Sequence, residues 1–588
     1  MLHAFALAQH SLITAVHTLL LVALVLSGAS VAYVLCALIF RRWNQYRSPL
    51  QNVPGPKNAQ WFKGNFVDVL EVDSTRLQEE WVQTYGHVLK YHGVFGAPKL
   101  LAVDPVAVSY IFHNSDTFQK SELLRFSLGS FTGRGLLFVE EAGMCIPLSF
   151  LNKSHDRDSN PAFGPAQVRK FTTLFLEQSL QLREIWGELV SGSSRKDGKL
   201  SLDVFNWLNK VTLDIIGLAG IVTVVDMLIS HSELRIGFDY NFDSLHSSEE
   251  KQNELYEAIR SILTLNSRNI FFVFQLFFPV FRLIPTPRSR ALDRAFEVVQ
   301  RIGSRLIKDK KAVVLTESNT DGSGVVEKQD VRGHDLLSLL IKSNIASDMP
   351  ESMRMSDSEI LSQVPTFLVA GHETTSTAVA WTLFALSCHT AVQTKLRAEL
   401  NTLPTDLPTM EQLNALSYLD GVVREALRLY APVTSTQRIA MEDAEIPLQK
   451  PFMDKCGILQ SSVRVFKGDS VVIPIRLLNQ STEIWGEDAN EFRPERWESI
   501  PEAVHGLPSV FGHLLTFIAG AHACIGYRFS VVEIKALLFT LVRGFEFELA
   551  MPAEEIMRKT SIVSRPVIGS NPAAGPQLPL LIRPANLD

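Results

Sequence analysis

One cysteine stands in a setting that ordinary packing does not require. In Phe517-Ile518-Ala519-Gly520-Ala521-His522-Ala523-Cys524-Ile525-Gly526, glycine lets the backbone pass close to a flat ligand because no side chain intrudes. Cys524 falls where a helix is expected to begin, and helix N-terminal N–H groups stabilise a thiolate, the form of cysteine that binds metals. A packed cysteine in a glycine-rich turn is the plain alternative. A second group, Ala370-Gly371-His372-Glu373-Thr374-Thr375, sets an acid and two hydroxyls inside a helical stretch. Thr374 can position water, and Glu373 can connect it to solvent as an acid–base relay; alone, the segment reads equally well as helix surface. The third, Glu425-Ala426-Leu427-Arg428, puts opposite charges at i and i+3 on one helix face, a spacing common in surface pairs. Phe492-Arg493-Pro494-Glu495-Arg496-Trp497 follows downstream.

The order and spacing of these segments resemble the cytochromes P-450 from roughly Pro54 to Phe547. The fungal microsomal members look closest, from the phrases around Asn160–Phe163 and Phe367–Ser376. The Cys524 loop is similar to that family's haem-binding loop. The resemblance implies that Cys524 is the axial iron ligand of haem b (iron protoporphyrin IX); such ligation pushes electron density toward the trans position and favours O–O cleavage. It implies that Phe517 packs below the porphyrin, that His522 and Arg438 meet its propionates, and that Gly520 and Gly526 let the loop approach the ring. Ala370–Thr375 is similar to the family's A-G-x-[DE]-T motif. That likeness implies catalytic roles for Glu373 and Thr374 in proton delivery, room for dioxygen beside the small residues, and a helix widened at this point. Phe492–Trp497 looks like the family's F-x-P-E-R-[FW] segment, so Glu425, Arg428 and Arg496 are expected to form a buried structural charge triad.

The implied activity is a monooxygenase that inserts one atom of dioxygen into a hydrophobic small molecule, a secondary metabolite or xenobiotic. Electrons would come from NADPH through a separate NADPH–cytochrome P-450 reductase, with cytochrome b5 as a further donor, since no Rossmann or flavin motif follows the haem loop. Family position puts Phe126–Phe131, Phe367, Ala370 and Val433–Thr436 near the substrate, which suggests an apolar pocket. Two other readings stay open: a haem-thiolate isomerase or dehydratase, and an inactive haem- or lipid-binding relic. The carbon monoxide difference spectrum separates a competent site from the relic, and reductase- and oxygen-dependent turnover separates the monooxygenase from the isomerase or dehydratase.

The fold expected to position these residues is mainly α with a smaller β-rich part, the cytochrome P-450 fold, preceded by one N-terminal transmembrane helix. Leu89–Tyr91 and Lys99–Val103 have β character around a turn at Gly93–Pro98. Helical periodicity covers Ala166–Leu189, Leu202–Leu218 and Ala291–Val314. Ser356 to Cys388 gives the longest helix signal, with Ser356 and Glu359 in a capping box and a bend expected at Pro365. Arg438 to Pro474 reads as strands with turns at Lys455–Gly457 and Lys467–Asp469, and Ile525–Phe545 as the final large helix. Thr316–Gly333 reads as a surface loop. Asn269–Ile284 is apolar but too short to span a bilayer, so it reads as core or as a shallow dip into a membrane surface.

At 588 residues, 20% charged and 46% hydrophobic, the chain can bury a large core. A net charge of -6 gives no pointer to nucleic acid. Five scattered cysteines form neither a zinc pattern nor a disulfide framework. Residues 1–40 contain no Asp, Glu, Lys or Arg, while Arg41, Arg42 and Arg47 follow. This asymmetry reads as a lipid-bilayer anchor over 1–40 with the catalytic domain on the cytosolic side, in the endoplasmic reticulum membrane. Residues 41–56 read as a basic, proline-rich linker and 57–588 as the haem-thiolate domain.

Two segments depart from the family pattern. Residues 141–160 lack the expected helix with its W-x-x-x-R or H-x-x-x-R, the expected arginine falling on Asp156. Residues 221–237 form an apolar insert between family-like Thr212–Gly220 and Phe238–His246. Both interrupt patterned sequence with unpatterned residues and read as translated introns or another gene-model error.

Overall fold

A computed structural model describes most of residues 42–585. Outside the description lie most of 1–41 and, further along, chiefly 141–162, 222–243, 247–253, 265–274, 321–336 and 345–353. The helices that matter here are α1 (Ser74–Tyr85), α2 (Pro105–His113), α3 (Glu122–Thr132), α4 (Pro165–Ser191), α5 (Val204–Ile221), α6 (Pro287–Thr320), α7 (Asp357–Cys388), α8 (Ser417–Leu429) and α9 (Tyr527–Gly544). Strands β1 (Val88–His92), β2 (Pro98–Ala102), β3 (Phe118–Gln119), β5 (Thr436–Ala440) and β8 (Ser470–Ile473) form one sheet in the order β1-β2-β8-β5-β3. Within it β2 and β8 run parallel and the other pairs antiparallel. A second sheet joins β4 (Leu200–Asp203), β12 (Pro579–Pro584) and β9 (Phe545–Leu549) in the order β4-β12-β9. Two hairpins complete the set: β6 (Ala444–Met453) with β7 (Leu459–Val465), and β10 (Ile556–Thr560) with β11 (Ser564–Ile568).

Helix α7 is the spine. Ser356 caps it, accepting from the Glu359 amide while the Glu359 side chain accepts from the Ser356 amide, as the sequence pattern requires. Its middle packs against α5, its far half against α9 and β9. Most of its length is buried, which suits a helix with apolar residues on several faces. Pro365 lies inside it, and α-helix continues on both sides.

Several expectations need adjustment. Ser48 caps a short 3-10 turn, Pro49–Asn52, and its hydroxyl donates to Asp469 Oδ2 at 2.9 Å. Leu50 and Val53 are buried in the core. The second half of the expected 41–56 linker is therefore part of the domain, because apolar side chains and hydrogen bonds tie it to β1 and β8. Helix α6 runs through Thr320, so the first residues of the expected Thr316–Gly333 loop are helical; the rest lies outside the described residues. Of Asn269–Ile284, Phe278 is buried while Leu283 and Ile284 are exposed. No helix among the described residues is long and apolar enough to cross a membrane, and the expected anchor over 1–40 falls mostly outside them. Residues 141–160 and nearly all of 221–237 also fall outside them.

Candidate active site

The site lies between α7 and the loop leading into α9. That loop is held by its own backbone: the Cys524 amide donates to the Phe517 carbonyl at 2.8 Å. Ile518 adopts φ 58° without being glycine, a conformation tolerated where surroundings over-determine it. Gly520, at φ +69°, faces the Phe112 carbonyl, and a Cβ there would stand 2.0 Å from that oxygen. Its glycine is therefore demanded by α2 and by the backbone angle. Gly526 has room for a Cβ and serves as the cap before α9. The helix begins at Tyr527, later than the expected Ile525, so Cys524 sits just ahead of the cap. The Cys524 side chain is exposed although Phe517, Ala519 and Ala523 around it are buried.

Arg438 and His522 approach the same region. Arg438 is 2% exposed and donates to Thr436 Oγ1 and the Gln437 carbonyl at 2.6 and 3.0 Å. No described carboxylate lies within ion-pair distance of it, and burial lowers its pKa to about 10, so it stays cationic at neutral pH. His522 Nε2 lies 3.3 Å from Glu140 Oε2, and Lys120 Nζ lies 3.3 Å from Glu140 Oε1. Burial alone would raise the Glu140 pKa, but the His522 hydrogen bond and the Lys120 charge outweigh it and the pKa falls. A buried guanidinium with no described carboxylate within ion-pair distance, beside Lys120, His522 and an exposed cysteine, fits a planar cofactor that carries carboxylates and an iron. Lys120 and Glu140 were not legible in advance, because both come from irregular chain far from the Cys524 loop.

Midway along α7 stand Glu373, Thr374 and Thr375. Thr374 is half-buried, and its hydroxyl donates to the Ala370 carbonyl at 2.7 Å. Helix α7 stays α-helical through this stretch, so the expected widening is absent from the structure. The turned-in hydroxyl satisfies that carbonyl instead. Gly371 is also used for packing: a Cβ there would stand 2.6 Å from Ile216 Cγ1 of α5. Glu373 is buried and forms an ion pair with Arg565 of β11. Burial lowers Arg565 to about 10, which leaves it charged at neutral pH. The neighbouring Ser564 carbonyl accepts from Trp381 Nε1 at 2.8 Å, which pins β11 to α7 two turns beyond Glu373. Arg565 carries no sequence signal of its own; only the fold brings it to Glu373. Thr375 Oγ1 lies 3.0 Å from Ser530 Oγ of α9.

Glu425, Arg428 and Arg496 come together and are buried. Arg428 donates through Nε and Nη2 to the two Glu425 oxygens at 2.9 and 2.8 Å, and Arg496 Nε lies 3.3 Å from Glu425 Oε1. The sequence reading did not include Asp488, which accepts from Arg496 Nη1 at 2.5 Å, or Trp497, whose indole donates to Glu425 Oε2 at 3.1 Å. Of the residues expected near substrate, Phe126 is half-buried on α3, which packs against α7, and Phe367 lies 5.9 Å from Phe163 between ring centroids.

The model of the cytochrome P450 family matches residues 54–569 of this chain. Cytochrome P450 monooxygenase 205 of Postia placenta is 46% identical over 540 residues, 91% of this chain and 93% of that protein. Cytochrome P450 monooxygenase 128 of the same organism is 44% identical over 543 residues, 92% and 93% of the two chains. Cytochrome P450 monooxygenase claO of Ampulloclitocybe clavipes is 32% identical over 564 residues, 94% and 96%.

Proposed function

The chain belongs to the cytochrome P450 family of monooxygenases, and on that premise we propose that it inserts one atom of dioxygen into a hydrophobic small molecule, with electrons from NADPH delivered by a separate reductase. The observation that carries the reading is the exposed Cys524 beside buried Phe517, Ala519 and Ala523, with buried Arg438 having no described carboxylate within ion-pair distance. Cys524 would ligate the iron, and Arg438 and His522, joined by Lys120, would take the propionates. When bound, the haem supplies dioxygen activation, which thiolate ligation favours.

The chain's own residues handle protons and shape. Glu373 takes a proton from solvent and passes it toward the Thr374 hydroxyl, which turns from the Ala370 carbonyl to hold water in the site. Arg565 holds Glu373 aligned between transfers. Phe126 and Phe367 offer apolar walls to the substrate, a secondary metabolite or xenobiotic. The reading includes a single anchor over 1–40 in the endoplasmic reticulum membrane with the catalytic domain cytosolic, supported by the absence of charge in 1–40 and the arginines after it. Cytochrome b5 is proposed as a second electron donor.

The test is Cys524→Ala in the full chain. The carbon monoxide difference spectrum of the wild type should carry a thiolate-type Soret band, and the variant should lose it. A normal band in the variant ends the ligand assignment. Product formation without dioxygen or reductase would turn the assignment to an isomerase or dehydratase.

A further inference from the structure

Lysine is rarely fully buried without a partner of opposite charge, yet Lys90 of β1 is 2% exposed. Its ammonium donates to the Gln51 carbonyl at 3.2 Å and to Gln51 Oε1 at 3.1 Å. Lys455, in the turn between β6 and β7, donates to the same carbonyl at 3.3 Å. Two ammonium groups thus converge on one neutral oxygen, and among the described residues neither forms an ion pair with a carboxylate. Asp454, next to Lys455, is turned into its own hairpin. Its Oδ1 accepts from the Cys456 and Ile458 amides at 2.9 Å each, and its Oδ2 from Gln460 Nε2 at 3.0 Å. His92, at the end of β1, has its Nδ1 buried without a hydrogen bond. Burial lowers the His92 pKa to about 4, with repulsion from Lys90, Lys455 and Arg42 adding to it. Burial and then Lys455 lower Lys90 to about 8.

Main-chain contacts, not side-chain attraction, bring these groups together. The Lys90 amide donates to the Pro54 carbonyl at 2.7 Å, and the Lys455 amide to the Asn52 carbonyl at 2.9 Å. Gly55 passes so close to β1 that a Cβ would stand 1.8 Å from the Lys90 carbonyl oxygen. Like charges held this close repel, and an anion at their shared mouth turns that cost into attraction. Two further observations select the anion. The charge-free stretch 1–40 ends just before Arg42, and Arg42, Trp43, Tyr46 and Arg47 follow as exposed residues of a helix that leads to Gln51. The hairpin turn itself exposes Met453, Ile458 and Leu459. Apolar side chains beside cations suit the boundary between lipid headgroups and acyl chains; a free phosphate would make no use of them.

We propose that Lys90, Lys455, His92 and Arg42 form a binding site for the phosphate headgroup of an anionic lipid, which holds the catalytic domain against the bilayer beside its anchor. Lys455, at the exposed rim, makes the direct contact. Lys90 supplies charge from the buried floor, and the apolar residues of the turn lie along the acyl chains. The bilayer setting rests on the reading of 1–40 as an anchor; the headgroup site does not.

The test uses the full haem-loaded chain in nonionic-detergent micelles. Calorimetry follows its titration with short-chain phosphatidic acid and, in separate arms, with short-chain phosphatidylcholine and with inorganic phosphate. Phosphatidic acid should bind saturably, and the other two roughly tenfold more weakly or less. Lys455→Ala removes one charge-assisted hydrogen bond and should weaken phosphatidic acid binding roughly 10- to 100-fold. Lys308→Ala, which removes an exposed lysine of α6, takes away the same charge elsewhere and should leave binding unchanged. Lys90→Met should weaken binding as Lys455→Ala does; where it does not fold, Lys455→Glu takes its place. Absence of phosphatidic acid binding, equal binding of inorganic phosphate, unchanged binding in Lys455→Ala, or an equal loss in Lys308→Ala overturns the proposal. Release of the full chain from membranes by alkaline carbonate counts against the anchor, and the micelle titration still decides the site.

Discussion

Replacing Glu425 with glutamine removes the one carboxylate that both Arg428 and Arg496 contact, while leaving volume and shape almost unchanged. Arg428 Nη2 is 2.8 Å from Glu425 Oε1, with both side chains 0% exposed. At that separation a unit charge pair interacts by roughly 6 kcal/mol at an effective dielectric near 20. Desolvation offsets part of this in the native protein, so the cost of stranding the guanidinium is about 3–5 kcal/mol. The Asn479, Ala489 and Glu491 carbonyls still accept from Arg428 but carry no charge. Asp488→Asn should cost less, roughly 1.5–3 kcal/mol, because Asp488 is partly exposed and Arg496 keeps Glu425. The assay is urea unfolding of the haem-loaded protein, followed by tryptophan fluorescence and the Soret band, with the midpoint shift compared at constant slope. A further check is the double variant Glu425→Leu with Arg428→Leu. Removing both charges should cost less than the sum of the single changes, since neither is left buried alone; Arg496 retains Asp488. A Glu425→Gln cost below about 1 kcal/mol, or an additive double variant, would refute the reasoning that the triad is a closed set of mutually dependent charges.

Three other outcomes are expected. Thr374→Ala should keep the haem spectrum yet divert reducing equivalents to peroxide, and Arg565→Gln should lower coupling roughly tenfold, with Arg565→Lys recovering part. Burial lowers the His372 pKa to about 4 from 6.5, so the unfolded chain binds more protons between those values. Stability is therefore complete above about pH 6.5 and falls by roughly 3 kcal/mol as the pH drops toward 4; His372→Asn, which keeps a donor toward the Leu368 carbonyl, should flatten that slope in unfolding curves. Removing 221–237 should leave the fold intact, because Asp214 before the insert accepts from the Ser244 and Leu245 amides after it; transcript sequencing should show both 141–160 and 221–237 absent, and an in-frame mRNA carrying them would reject the intron reading.

What could be read from sequence was whatever local pattern dictates. The capping box at Ser356 and the helical periods set α7, α4 and α5 within a few residues. Alternation and turn residues set the strands between Thr436 and Ile473. The cysteine loop and the E-x-x-R pair were legible because their chemistry is carried by residues close in sequence. What could not be read was long-range pairing. Arg565 meets Glu373, Glu140 meets His522, and Asp488 joins Arg496 through tertiary packing that leaves no periodic trace. A physical reason for Gly520 and Gly371 also lay outside the sequence: each yields space to a neighbouring helix, α2 and α5.

These contacts make one turn of α7 a junction. Glu373 is tied to β11 by Arg565, Thr375 to α9 by Ser530, and the His372 carbonyl to α5 by the Thr212 hydroxyl at 3.1 Å. Ser376 donates to Asn209 Oδ1 at 2.8 Å on the same side. With 3.6 residues per turn, four consecutive side chains must point in four directions. His372 and Ser376 are held by α5, Glu373 by β11 and Thr375 by α9, and Thr374 bonds, among the described residues, within α7. Its hydroxyl can therefore change partner without breaking a described tertiary contact. Substitutions at Thr212 or Asn209, outside the site, should then disturb coupling by letting the turn rotate, while the thiolate spectrum set at Cys524 stays as it was.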